Sequence, residues 1–109
     1  MKFKDLFKLK KSSRELANFL PSGFHGDSYL QNLVKYLAKD VSCFIETGTN
    51  VGSTLHYFAN NNKEVTCFSC EPDQMSYYEA LRNTKALLNV SINNTDSMTF
   101  LDAIIAQNP

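Results

Sequence analysis

Val41-Ser42-Cys43-Phe44-Ile45-Glu46, then Thr47-Gly48-Thr49-Asn50-Val51-Gly52, then Ser53 to Ala59, is the stretch that decides the fold. The first six residues are a short, mostly apolar run closed by an acid, the pattern of a buried strand. The next six are a glycine-containing turn. From Ser53 onward Leu55, Phe58 and Ala59 share one side of a helix.

The same alternation recurs downstream. Val65 to Cys70 reads as a second strand, ending at Glu71-Pro72, and Pro72 opens a helix running to about Leu88 with Tyr77, Leu81, Thr84 and Leu88 inward. Val90-Ser91-Ile92-Asn93 reads as a third strand. Asp96 or Ser97 caps a last helix with Phe100, Leu101, Ile104 and Ile105 inward. Strands alternating with helices argue for an α/β fold with a parallel sheet and right-handed crossovers.

Upstream, Asp27 caps a helix to about Lys39, whose Leu30, Leu33, Val34 and Leu37 follow the spacing of one buried face. Ser12 or Ser13 can cap a shorter helix to Leu20, stopped by Pro21-Ser22-Gly23. Residues 1–40 thus read as a helical cap, and residues 41–109 as the sheet-bearing domain.

Composition narrows the classes of function. The chain has 109 residues, 43% of them hydrophobic, which fits one ordinary globular domain. Eleven basic and eleven acidic residues cancel, so no strong field invites nucleic acid. The tyrosines are too dispersed for a base-stacking platform. The cancellation hides an asymmetry: residues 1–14 hold Lys2, Lys4, Lys8, Lys10, Lys11 and Arg14 against Asp5 alone. With Phe3, Leu6 and Phe7 they allow an interfacial helix on an anionic membrane, although a solvated terminus docked on its own domain is the simpler reading. Without an apolar export segment, three cysteines indicate reduced thiols in a cytoplasm.

In an open parallel sheet, ligands bind beyond the carboxyl ends of the strands. Here each such end carries an acid: Glu46, Glu71 and Asp96. The first turn is not a P-loop, because Gly48 and Gly52 stand one residue too close and Ser53 replaces the lysine. It is not a dinucleotide fingerprint either, because Asn50 stands at the second glycine. Glu46 would repel a pyrophosphate, whereas a cationic ligand reverses the sign.

Glu46-Thr47-Gly48-Thr49-Asn50-Val51-Gly52-Ser53-Thr54 resembles motif I of the class I S-adenosylmethionine-dependent methyltransferases, in the form E-T-G-T-x-x-G-x-T. The resemblance implies a Rossmann-like three-layer α/β/α fold whose first three strands lie in the order 3-2-1. It implies that Gly48, Thr49, Asn50 and Gly52 approach the cofactor and that Glu46 binds its aminoacyl end. Glu71, 25 residues after Glu46, would grip both ribose hydroxyls, and Asp96-Ser97 would meet the adenine. Asn50 departs from the commoner glycine but tolerates left-handed dihedrals well. Each acid also has a plainer reading: Glu46 as a loop acid paired with N-terminal lysines, Glu71 as a favourable charge at a helix start, Asp96 as an N-cap.

The complete family fold has seven strands, and this chain supplies three. The expected object is therefore the N-terminal cofactor-binding part of a methyltransferase, truncated and without turnover alone, its acceptor unreadable. The alternative is a non-enzymatic module that binds nucleotide or a partner chain. The first strand would bury both faces under helices and leave an open edge, which a complementary chain or a second copy would cover. Cys67 and Cys70 stand three apart on a strand, so they point to opposite faces and cannot grip one metal. His25 could sit over the cofactor as a lid residue; His56 reads as an ordinary helix histidine. Asn93-Asn94-Thr95 is a glycosylation sequon without meaning inside a cell.

Overall fold

The computed structural model describes residues 16–107. The basic segment before them lies outside the described residues. Three strands, β1 (Cys43–Thr47), β2 (Thr66–Cys70) and β3 (Val90–Asn93), form a parallel sheet in the order β1-β2-β3. Four helices accompany them: α1 (Ser28–Leu37), α2 (Ser53–Asn61), α3 (Gln74–Thr84) and α4 (Ser97–Gln107). The strand order read from the opposite edge is 3-2-1, and the α/β class and parallel pairing are as the sequence predicts.

Register explains the layers. Glu46 pairs with Ser69, and Ser69 with Ile92, so these side chains form one row on one face. Phe44, Cys67 and Val90 form the row beside it. Leu55, Phe58 and Ala59 of α2 and Ala80 of α3 close over these rows, and Phe44 stacks on Phe58 with ring centroids 4.0 Å apart. The other face carries Cys43, Ile45, Thr66 and Phe68, and α4 packs there through the buried Phe100. This makes three layers, α2 and α3 over the sheet and α4 beneath.

Several inward faces differ from expectation. β1 does not bury both faces: Cys43, Ile45 and Thr47 are exposed, because α4 covers only part of the second face and leaves a groove of about 920 Å³ along Ile45 and Phe68. Along α1, Val34 reaches the core, whereas Leu33 is 53% exposed and Leu30 and Leu37 are exposed too. The sheet face is already filled by Leu55 and Phe58. In α3 Thr84 is buried and Tyr77 packs against the core as expected, but Met75, Ser76 and Ala80 are buried where Leu81 and Leu88 were expected. Small residues are needed there, since a Cβ on Gly52 would stand 3.4 Å from Ala80. Leu81 is consequently exposed, and Leu88 lies past the helix end in solvent.

The expected helix before Pro21 is absent where it can be seen, since residues 16–20 are irregular. Leu20 donates its N–H to Ser53 Oγ at 2.8 Å, and Phe19 meets His56 edge-on. These tertiary contacts replace a helical ladder. The helical cap therefore consists of α1, which Asp27 caps by accepting from Leu30 N at 3.0 Å, and short turns around it. Among the described residues no helix is long and apolar enough to cross a membrane.

Candidate functional site

The β1–α2 turn is held from below. Gly48 and Thr49 both donate their amides to the Cys70 carbonyl at 2.9 Å. Asn50 donates its amide to Glu71 Oε1 at 2.7 Å, and Gly52 donates to the Thr49 carbonyl at 3.0 Å. Asn83 Nδ2 ties down the Val51 carbonyl. Asn50 sits in the left-handed region at φ 54°, the conformation that asparagine tolerates. Four of the turn's amides are thus committed within the chain. A phosphate cradle needs such amides bare, so the turn is not one.

Above this turn lies a cavity of about 390 Å³, within the usual range for small-molecule sites. Glu46, Gly48, Thr49 and Asn50 line it from the strand end, and Leu20 and His25 from the N-terminal segment. Among the described residues that line it, Glu46 is the only acid and none is a lysine or arginine. Ser69 Oγ donates to Glu46 Oε1 at 2.7 Å, and Thr49 Oγ1 bonds Ser69 Oγ in turn. Burial pushes the Glu46 carboxyl up from 4.5 to about 7; the Ser69 bond opposes this and the neighbouring Glu71 charge adds to it. Asn50 Oδ1, also at the cavity, is buried without a hydrogen-bond partner. The acceptor that the site offers is the Glu46 carboxylate.

Among the expected residues, Glu46, Gly48, Thr49 and Asn50 come together at the cavity. Gly52 lies beneath it, packed on Ala80 and Thr84 at φ 90°. Glu71 is 3% exposed and does not line the cavity. Its Oε1 takes the Asn50 amide and its Oε2 takes the Asp73 amide at 2.9 Å, so it clamps two loops together. Asp96 is exposed, two strand positions away, and caps α4 by accepting from Thr99 N at 2.8 Å. That bond, with a second from the Thr99 hydroxyl, holds its carboxyl below the usual range. Ser97 is the first residue of α4 and is exposed.

Sequence reasoning named His25 as a residue over the site but missed Ser69 and the segment 17–20. Ser69 left a signal: it is the one buried hydroxyl in a strand otherwise buried at Cys67 and Cys70, and register sets it beside Glu46. The segment left none, because side-chain anchors on α2 place it. Cys67 and Cys70 are both buried, as expected, and burial pushes the Cys67 thiol up to about 11. Among the described residues no group of three His, Cys, Asp or Glu could hold a metal ion.

Comparison with protein-family models finds no match, and no curated protein matches the chain.

Proposed function

We propose that the chain binds S-adenosylmethionine as the cofactor-binding part of a methyltransferase. The observation that carries the reading is the cavity at the β1 end, where among the described lining residues Glu46 is the only acid and none is a lysine or arginine. A sulfonium and an ammonium are complementary to such a cavity, and an anion is not. The residues present fit the group. The Glu46 carboxylate is an acceptor for an ammonium, and the amides of Gly48, Thr49, Asn50 and Gly52 are already committed within the chain. When bound, the cofactor would supply an electrophilic methyl group.

This chain's residues bind and orient. Glu46 takes the cationic end, and Gly48 and Thr49 form the cavity wall. Glu71 acts mainly through Asn50, by fixing the turn. Asp96 and Ser97 stand where a ligand crossing the strand ends towards β3 would meet them, about 10 Å from β1. The free cysteines and the exposed β1 edge extend the reading to a reduced, cytoplasmic setting, in which a complementary chain or a second copy covers that edge. The basic segment before residue 16 would add at most a weak membrane contact.

The test is equilibrium binding of S-adenosylhomocysteine by the wild-type chain and by Glu46→Gln. Loss of tenfold or more in the variant is expected, and equal binding by both would remove Glu46 from the site.

A further inference from the structure

Gly23, Phe24, His25 and Gly26 all have positive φ, at 61°, 46°, 54° and 76°. They make a left-handed turn, closed by Gly26 N on the Gly23 carbonyl at 2.8 Å and by Asp27 N on the Phe24 carbonyl at 3.0 Å. Two of the four are bulky L-residues, for which this region is strained. Such strain persists only where the surroundings over-determine it.

They do so here. Phe24 donates its amide to Thr54 Oγ1 at 2.9 Å, and Leu20 donates to Ser53 Oγ. Gln31 Nε2 holds the Ser22 carbonyl at 2.6 Å. Gly23 lies against Tyr57 so closely that a Cβ there would stand 2.5 Å from Tyr57 Cβ. Phe24 meets the Tyr57 ring edge-on. The anchored segment brings His25 to the wall of the cavity that Glu46 also lines. His25 is exposed and packs in no core, so the strain at its backbone serves no packing purpose.

We infer that His25 reads the carboxylate of an α-amino-acid group whose ammonium Glu46 holds, which makes the cavity a site for a zwitterion. An imidazole N–H donates to a carboxylate in either protonation state of the ring. Among the described residues lining the cavity it is the one side chain that can carry positive charge. This rests on the cofactor reading and assigns the group that selects the amino-acid end.

The experiment is calorimetric titration of the whole chain, wild type, His25→Gly and His25→Arg, with S-adenosylhomocysteine and with 5′-methylthioadenosine, which lacks the amino-acid end. Thermal melting runs alongside. Glycine suits a positive φ, so His25→Gly is expected to melt at or above the wild-type temperature. It should lose tenfold or more on S-adenosylhomocysteine and keep its affinity for 5′-methylthioadenosine, while His25→Arg retains most of the preference. Undiminished binding of S-adenosylhomocysteine by His25→Gly overturns the inference and leaves the cofactor reading standing. Equal loss on both ligands also overturns it, because His25 would then act on the fold of the turn. Binding of neither ligand by the wild type overturns the cofactor reading and this inference with it.

Discussion

Glu71 and Asn50 stand at the ends of different strands, yet the Glu71 carboxylate accepts the Asn50 amide at 2.7 Å. The second oxygen accepts from Asp73, so one buried acid fixes the loops after both β1 and β2. Asn50 is the non-glycine residue of its turn with a positive φ, and it lines the cavity. The acid at the second strand end therefore shapes the site next to the first.

Replacing that clamp should be felt in stability. Glu71→Ala leaves two amides without their charged acceptor, and a hydrogen bond to a charged group is worth about 1.5–3 kcal/mol. Urea denaturation should show a loss of about 2–4 kcal/mol, together with weakened ligand binding. A loss below about 1 kcal/mol would mean that the turn holds its shape without Glu71.

The Glu46 carboxyl, raised to about 7 in the folded chain, sets a pH dependence. A raised acid favours the protonated form on folding, so its stabilisation is full below pH 4.5 and is lost as pH rises through 7. Between those limits the wild type should lose about 1–3 kcal/mol relative to Glu46→Gln. A cationic ligand favours the ionised form, so its affinity should rise with pH across the same window. Parallel stability curves for the two proteins would contradict the burial of Glu46.

Gly23→Ala should separate the anchored segment from α2. The new Cβ would meet Tyr57 at 2.5 Å, and alanine at φ 61° is strained besides. A loss of about 2–4 kcal/mol in thermal or urea unfolding is expected. Near-wild-type stability would show that Tyr57 moves aside freely.

The open edge of β1 carries a fourth expectation. Its exposed Ile45 and the exposed Leu33 and Leu37 of α1 add apolar surface to strand amides that no other strand pairs among the described residues. Sedimentation of the isolated chain should show mass above the monomer, rising with concentration. A monomer at all concentrations would mean that this edge recruits no second copy.

The backbone order was legible because it rests on local pattern. The Val41–Ile45 run, the Gly48–Gly52 turn and the Asp27 cap each follow from residues within a few positions of one another. The gathering of Glu46, Gly48, Thr49 and Asn50 at one strand end followed from parallel topology. What was not legible depends on distant partners. The exposure of Leu33, the burial of Ala80 in place of Leu81 and the irregular path of residues 16–20 are decided by Phe58, Gly52 and Ser53, which sequence spacing does not place. Glu71 was singled out as a grip for ribose hydroxyls, but its oxygens turn to Asn50 and Asp73 rather than to the cavity, a choice made by loop geometry.

The most direct measurement is a calorimetric comparison of ligands at pH 8, where Glu46 is mostly ionised. The whole chain is titrated with S-adenosylhomocysteine, NAD and ATP in separate runs. Saturable binding of S-adenosylhomocysteine, at least tenfold tighter than either phosphate-bearing ligand, is the expected result. Preference for NAD or ATP would contradict the assignment of the β1 end as a site for a cationic ligand.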